Sequence, residues 1–202
     1  MDKKDVLIVS ALKQETNGQL KGYRVLHTGV GKVNATMELT KVLQKAHLHY
    51  LPPMPKLVIN YGTAGSRDLP IGELVDCTKF VQRDMNITQL GFYAGQTPFE
   101  SPNTMHVLST SKFNPIKKRI VCGTGDSFVD DLKKQSLYVR VFDMEAYALA
   151  KVCRDYDIPF ISFKYITDNV NQHSAKDWEE NCSDGVQLFK SEVLSNIKWI
   201  IY

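Results

Sequence analysis

The chain has 202 residues, 43% hydrophobic and 23% charged, enough for one sizeable core and far from the composition of a disordered chain. The net charge of +3 is spread over 25 basic and 22 acidic residues, and the densest basic cluster, Lys117, Lys118 and Arg119, is too small to mark a nucleic-acid surface. No run approaches the ~20 apolar residues of a membrane span, the charged start leaves no room for a signal peptide, and Cys77, Cys122, Cys153 and Cys182 lack paired spacing, so a cytoplasmic single domain over residues 1–202 with reduced thiols is expected.

Residues 6–9 form a short continuous apolar run, the pattern of a strand covered on both faces, and residues 23–28 read as a second strand. Asn17, Gly18 and Gly22 supply turns between them. After Gly31 the period changes: Val33, Met37, Thr40, Val42 and Leu43 predict a helix over 34–46, ended by Pro52, Pro53 and Pro55. Strands are expected at 57–60, 73–81 and 119–122. Ala146, Leu149, Ala150 and Cys153 then mark the apolar stripe of another helix. Pro159 separates it from a strand at 160–166, and a covering helix is expected over 178–199. Strands alternating with helices imply an α/β three-layer sandwich whose central sheet is mixed but mostly parallel. Ligands of such sheets sit beyond the carboxyl ends of the strands.

Several strands run out into small or acidic residues: Gly29-Val-Gly31, Gly62-Thr-Ala-Gly65, Gly123-Thr-Gly125 and Thr167-Asp168-Asn169. Read as turns, such segments let backbone groups approach a ligand. The spacing is neither that of a P-loop nor that of a dinucleotide-binding GxGxxG, so no nucleotide cofactor is expected. His47 and His49 are two apart, off a common helical face and without an acidic or cysteine neighbour, so no metal site is expected either. From position alone Asp143 and Glu145 read as a helix cap, Asp168 as an Asx turn, and Glu15 as a surface charge.

Five segments acquire meaning together: Gly29-Val-Gly-Lys-Val-Asn-Ala35, Asn60-Tyr-Gly-Thr-Ala-Gly65, Gly125-Asp-Ser-Phe128, Asp143-Met-Glu-Ala146 and Ile166-Thr-Asp168. With them the chain resembles the nucleoside phosphorylase and nucleosidase superfamily, most closely its methylthioadenosine/S-adenosylhomocysteine nucleosidases. The resemblance runs from Val6 to about Trp178 and is patchy at 15–28 and 98–118.

It implies Asp168 as the acid that protonates or hydrogen-bonds purine N7, so that the base leaves neutral while the ribose becomes oxocarbenium-like. Glu145, preceded by Met144, would accept hydrogen bonds from the ribose hydroxyls and favour positive charge on the sugar. Glu15 would activate the attacking water, dividing the work as inverting glycosidases do. Phe128 would stack on the purine, the Val129 backbone would read its edge, and Thr63 and Ala64 would contact ribose and base. Leu12, Val30 and Trp178 would meet the 5′ end, with Ile87, Leu90 and Phe92 contributed by the neighbouring subunit of a homodimer. These apolar residues suit a thioether or deoxy 5′ group better than a phosphate.

Phosphorylases of the superfamily place arginines near the first strand and before the turn at Gly62. Residues 10–15 and 58–61 contain none here, and Glu15 would repel phosphate, so water is the expected nucleophile. The alternatives are a phosphorylase and a non-catalytic nucleoside-binding protein on the same fold. Two departures stand out: Lys164 occupies the place of an arginine that helps hold water or ribose, and the segment at 15–28 is shorter than usual.

Overall fold

A computed structural model describes residues 2–48, 52–100 and 106–197 of the chain. In chain order they form β1 (Val6–Ser10), the one-turn helix α1 (Lys13–Thr16), β2 (Arg24–His27), α2 (Lys32–His47), β3 (Leu57–Ser66), β4 (Leu74–Gln82), β5 (His106–Leu108), β6 (Ile120–Thr124), β7 (Val141–Asp143), α3 (Ala146–Asp155), β8 (Phe160–Asp168) and α4 (Ser174–Asn181). Helical turns at Val186–Leu188, Phe189–Val193 and Leu194–Asn196 follow. His49 and Trp199, both part of the expectations above, lie outside the described residues.

The apolar run of β1 is buried on both faces. Leu7 and Val9 pack with Leu39 and Leu43 of α2 and Leu149 of α3, whereas Val6 and Ile8 pack with Val186, Phe189 and Val193. Period-two alternation between two cores is what a continuous apolar strand means physically. On the second face Phe189 stacks on Tyr61 with ring centroids 4.3 Å apart, a contact that adds ~0.5–1.5 kcal/mol to the burial itself. Cys77, Cys122, Cys153 and Cys182 are all free thiols.

The sheet is mixed and mostly parallel, as expected, and helical segments lie against both faces. It also closes on itself, which the expectation of a three-layer sandwich did not include. β3 pairs with β1 over residues 57–60, and at Gly65 and Ser66 with antiparallel β7. β8 has parallel β3 on one side and antiparallel β4 on the other; β4 pairs with β6, and β6 with β7. The ladder β3-β8-β4-β6-β7-β3 therefore closes into a barrel, while β2 and β1 extend from its side. The closure is not foreseen from the sequence because β7 is only three residues long and leaves no strand-length apolar run to read.

The small-residue segments after Asn60 and Cys122 are also strand, not turn: β3 continues to Ser66 and β6 to Thr124. The register of β3 and β8 shifts by one residue, Ala64 facing Ile166 but Gly65 facing Asp168, so Thr167 is an extra residue on β8. The expected carboxyl-terminal helix is interrupted at Gly185, where a Cβ would lie 2.2 Å from Tyr165 Cγ, so the chain presses flat on the sheet there.

Candidate active site

The carboxyl ends of β1, β3, β6, β7 and β8 converge on one cavity of about 210 Å³. Its wall includes Leu12, Glu15, Val30, Thr63, Ala64, Phe128, Val129, Met144, Glu145, Asp168 and Trp178, all expected site residues. Lys164 stands behind this wall, and Ile87, Leu90 and Phe92 lie outside it, Leu90 being 74% exposed.

Glu15 is buried, contrary to its reading as a surface charge. It is the third residue of α1, and its Oε2 reaches back to accept the Leu12 N–H at 3.0 Å and the Ser10 hydroxyl at 2.7 Å. Its Oε1 accepts both the N–H and the hydroxyl of Thr63, at 2.8 and 2.9 Å. The Trp178 indole N–H, which can only donate, is 2.9 Å from Thr63 Oγ1 and so leaves the hydroxyl proton for Glu15. Four donors offset the desolvation that burial costs a carboxylate, and they fit its acceptor-only form. Gly62 makes the room, since a Cβ there would be 3.0 Å from Glu15 Oε1.

Asp168 ends β8 and is 2% exposed. It accepts the Val170 N–H at 3.1 Å and the Thr167 hydroxyl at 3.2 Å. Burial pushes its pKa above the usual aspartate value, opposed by hydrogen bonds from Ser174, Val170 and Thr167. Gly65 again makes room: a Cβ would meet Asp168 Oδ1 at 2.7 Å. Gly62 and Gly65 of β3 thus make room for two carboxyl groups.

Glu145 precedes α3, and its Oε1 accepts the Gly31 N–H at 2.8 Å, tying the start of α3 to the start of α2. Burial, and then the nearby Asp143, push its pKa up to about 8. Asp143 ends β7 and is bound on all sides: Thr124 Oγ1 donates at 2.5 Å, the Ala146 N–H at 2.8 Å, and Lys164 Nζ lies at 2.7 Å. Burial opposes its charge, yet Lys164 keeps it below the usual carboxylate range. Lys164, 1% exposed, has its pKa raised: burial works against the cation and Asp143 outweighs it. In this structure Lys164 supports Asp143 and lies 3.5 Å from where a Gly62 Cβ would be, close to Glu15.

Three polar residues on the wall, Asp143, Arg83 and Ser127, were not anticipated. Asp143 was read as a helix cap, and it does bind the first-turn N–H of Ala146, but its larger partner is the buried lysine. Arg83, just after β4, is a single arginine at a strand end, and nothing in its neighbours marks it.

The family model described as the phosphorylase superfamily matches residues 15–198. The chain belongs to this superfamily. A protein of Shewanella piezotolerans called 5′-methylthioadenosine/S-adenosylhomocysteine nucleosidase is 31% identical over 81% of this chain and 76% of its own length. Among solved structures, the nucleosidase of that name from Helicobacter pylori, crystallised with butyl-thio-DADMe-Immucillin-A, has a TM-score of 0.77 at 19% identity, covering 94% of this chain and 97% of that one. Futalosine hydrolase of Helicobacter pylori gives the same TM-score, 0.77, at 19% identity and the same coverage, 94% and 97%, so the shared fold does not by itself select a substrate.

Proposed function

We propose that this superfamily member hydrolyses the N-glycosidic bond of 5′-methylthioadenosine, S-adenosylhomocysteine or a related 5′-modified adenosine, releasing adenine and the free sugar. The observation that carries this reading is one cavity holding two carboxyl groups in opposite environments: Asp168, inclined by burial to keep a proton, and Glu15, ringed by four donors. Asp168 donates to N7 of the departing base, and Glu15 takes a proton from the attacking water. Glu145 accepts the ribose hydroxyls beside Met144; Thr63 and Ala64 line the sugar and base, Phe128 stacks on the purine, and the Val129 backbone reads its edge. Lys164 acts from behind the wall through Asp143.

Leu12, Val30 and Trp178 form the apolar side expected for a 5′ thioether. Ile87, Leu90 and Phe92 complete that side in a second copy of the chain, making the working enzyme a cytoplasmic homodimer with a role in methionine salvage. Arg83 is no phosphate fork, because its guanidinium is already engaged with Gly125 and Ser127. The relative's name supports the substrate class.

Adenine release from 5′-methylthioadenosine, S-adenosylhomocysteine and 5′-deoxyadenosine, with and without phosphate, tests the proposal. Release independent of phosphate is expected. Release only with phosphate would make the chain a phosphorylase, and tight binding without release would make it a binding protein.

A further inference from the structure

Arg83 takes no part in the chemistry above, although it stands on the cavity wall. Its Nη1 donates to Ser127 Oγ at 3.2 Å, and Nη2 donates to the carbonyl of Gly125 at 3.3 Å and to that of Ser127. Gly125 is closely covered: a Cβ would lie 2.8 Å from Arg83 Cζ and 3.0 Å from Asp84 Cγ. Asp84 accepts the Asp126 N–H at 2.9 Å and pairs with Lys32 Nζ at 2.6 Å. Asp126 accepts the Lys32 N–H at 2.7 Å. The end of β4 and the first turn of α2 thus hold residues 125–127 by backbone and side chains together. The N–H groups of Gly31 and Lys32, the residue before α2 and its first residue, bind Glu145 and Asp126 respectively.

The segment held in this way leads directly to Phe128, which is 49% exposed and therefore has little packing of its own to orient it. An aromatic platform that is not ordered beforehand must be ordered by its ligand, and that cost appears as lost affinity. A guanidinium is suited to the task, being permanently charged and planar, with donors that reach two carbonyls from one rigid group.

We propose that Arg83, reinforced by the Lys32–Asp84–Asp126 cluster, is a positioning residue that orders the Phe128 platform and registers it against Glu145, thereby setting affinity for the base. The proposal rests on the reading of Phe128 as the purine's stacking partner. It assigns to Arg83 an effect on binding and none on the bond-breaking step.

The test compares Arg83→Met, Arg83→Lys and Phe128→Ala by adenine inhibition constants and by kcat and KM for 5′-methylthioadenosine. For Arg83→Met, adenine Ki and nucleoside KM should each rise about tenfold while kcat stays within about threefold, and lysine should restore part of the loss. An unchanged adenine Ki in Arg83→Met, with Phe128→Ala weakened, would overturn the positioning role alone. An unchanged Ki in Phe128→Ala would instead remove Phe128 as the base platform, and the proposal with it. If Arg83→Met does not fold, Lys32→Met, which cuts the cluster from the α2 side, takes its place with an expected rise in Ki of about threefold; an unchanged Ki there overturns the proposal equally.

Discussion

The Asp143 carboxylate lies 2.7 Å from the Lys164 ammonium, and both side chains are only 1% exposed. This pair sits between the cavity and the core, with Glu145 two residues from Asp143 and Glu15 close to Lys164. A buried pair of this kind fixes charge in place more than it adds stability, but removing one partner is costly.

Lys164→Met should therefore destabilise the protein by ~3–5 kcal/mol, because Asp143 is left charged and unpaired in the interior. Adding Asp143→Asn should recover at least half of that loss. Urea unfolding of the single and double variants measures both; a double variant no more stable than the single would show that charge is not the cause.

Asp168→Asn removes the proton but keeps the shape. We expect kcat to fall by about 10²–10⁴ with nucleoside binding within about tenfold, the signature of a group acting in the transition state. In the proposed role Asp168 acts in its protonated form, and its pKa is raised, so activity should be lost on the alkaline side of the profile as that proton leaves. A variant retaining most of its turnover would end the acid assignment.

Glu145 makes folding itself depend on pH. Its ordinary value is 4.5 and its value in the fold about 8, so the folded state binds the proton more tightly. That contribution is fully present below about pH 4.5 and is lost as pH rises through 8, on the order of a few kcal/mol in all. Glu145→Gln carries no such titration. Its unfolding midpoint should fall less between pH 6 and 9 than that of the parent chain, and parallel curves for the two proteins would contradict the shift.

Gly65→Ala would put a methyl group 2.7 Å from Asp168 Oδ1 and 3.1 Å from Val170 Cγ2. Overpacking of this kind costs ~1–3 kcal/mol. The acid would also be displaced, so kcat should fall by about 10–100-fold with a smaller change in KM. Steady-state kinetics with thermal melts separates the two effects, and undiminished kcat would mean that the close approach is not needed.

Where a physical pattern is local and repeated, the sequence is readable: the apolar runs of β1 and β8 and the helical stripes of α2 and α3 all appear where their periodicities place them. Barrel closure is invisible, because it depends on short β7 pairing with the distant end of β3. Glu15 looks exposed beside Lys13 and Gln14, and what buries it, Ser10 and Thr63, comes from two different strands. The small residues of β3 resemble a turn because nothing along the chain shows the carboxyl groups they accommodate. Most site residues became legible only through family-like segments, and Arg83 lies outside all of these.

The single extra residue in β8 has a consequence for how such a site arises. Side chains alternate along a strand, so shifting a register by one exchanges the residues presented to a given neighbour. In an uninterrupted ladder Thr167 would stand opposite Gly65, and a hydroxyl would occupy the position of the Asp168 carboxyl group. Counting out of step by one residue hands that position to Asp168 without altering either strand's composition. Whether a hydroxyl or a carboxyl group stands beside Gly65 is here a matter of parity.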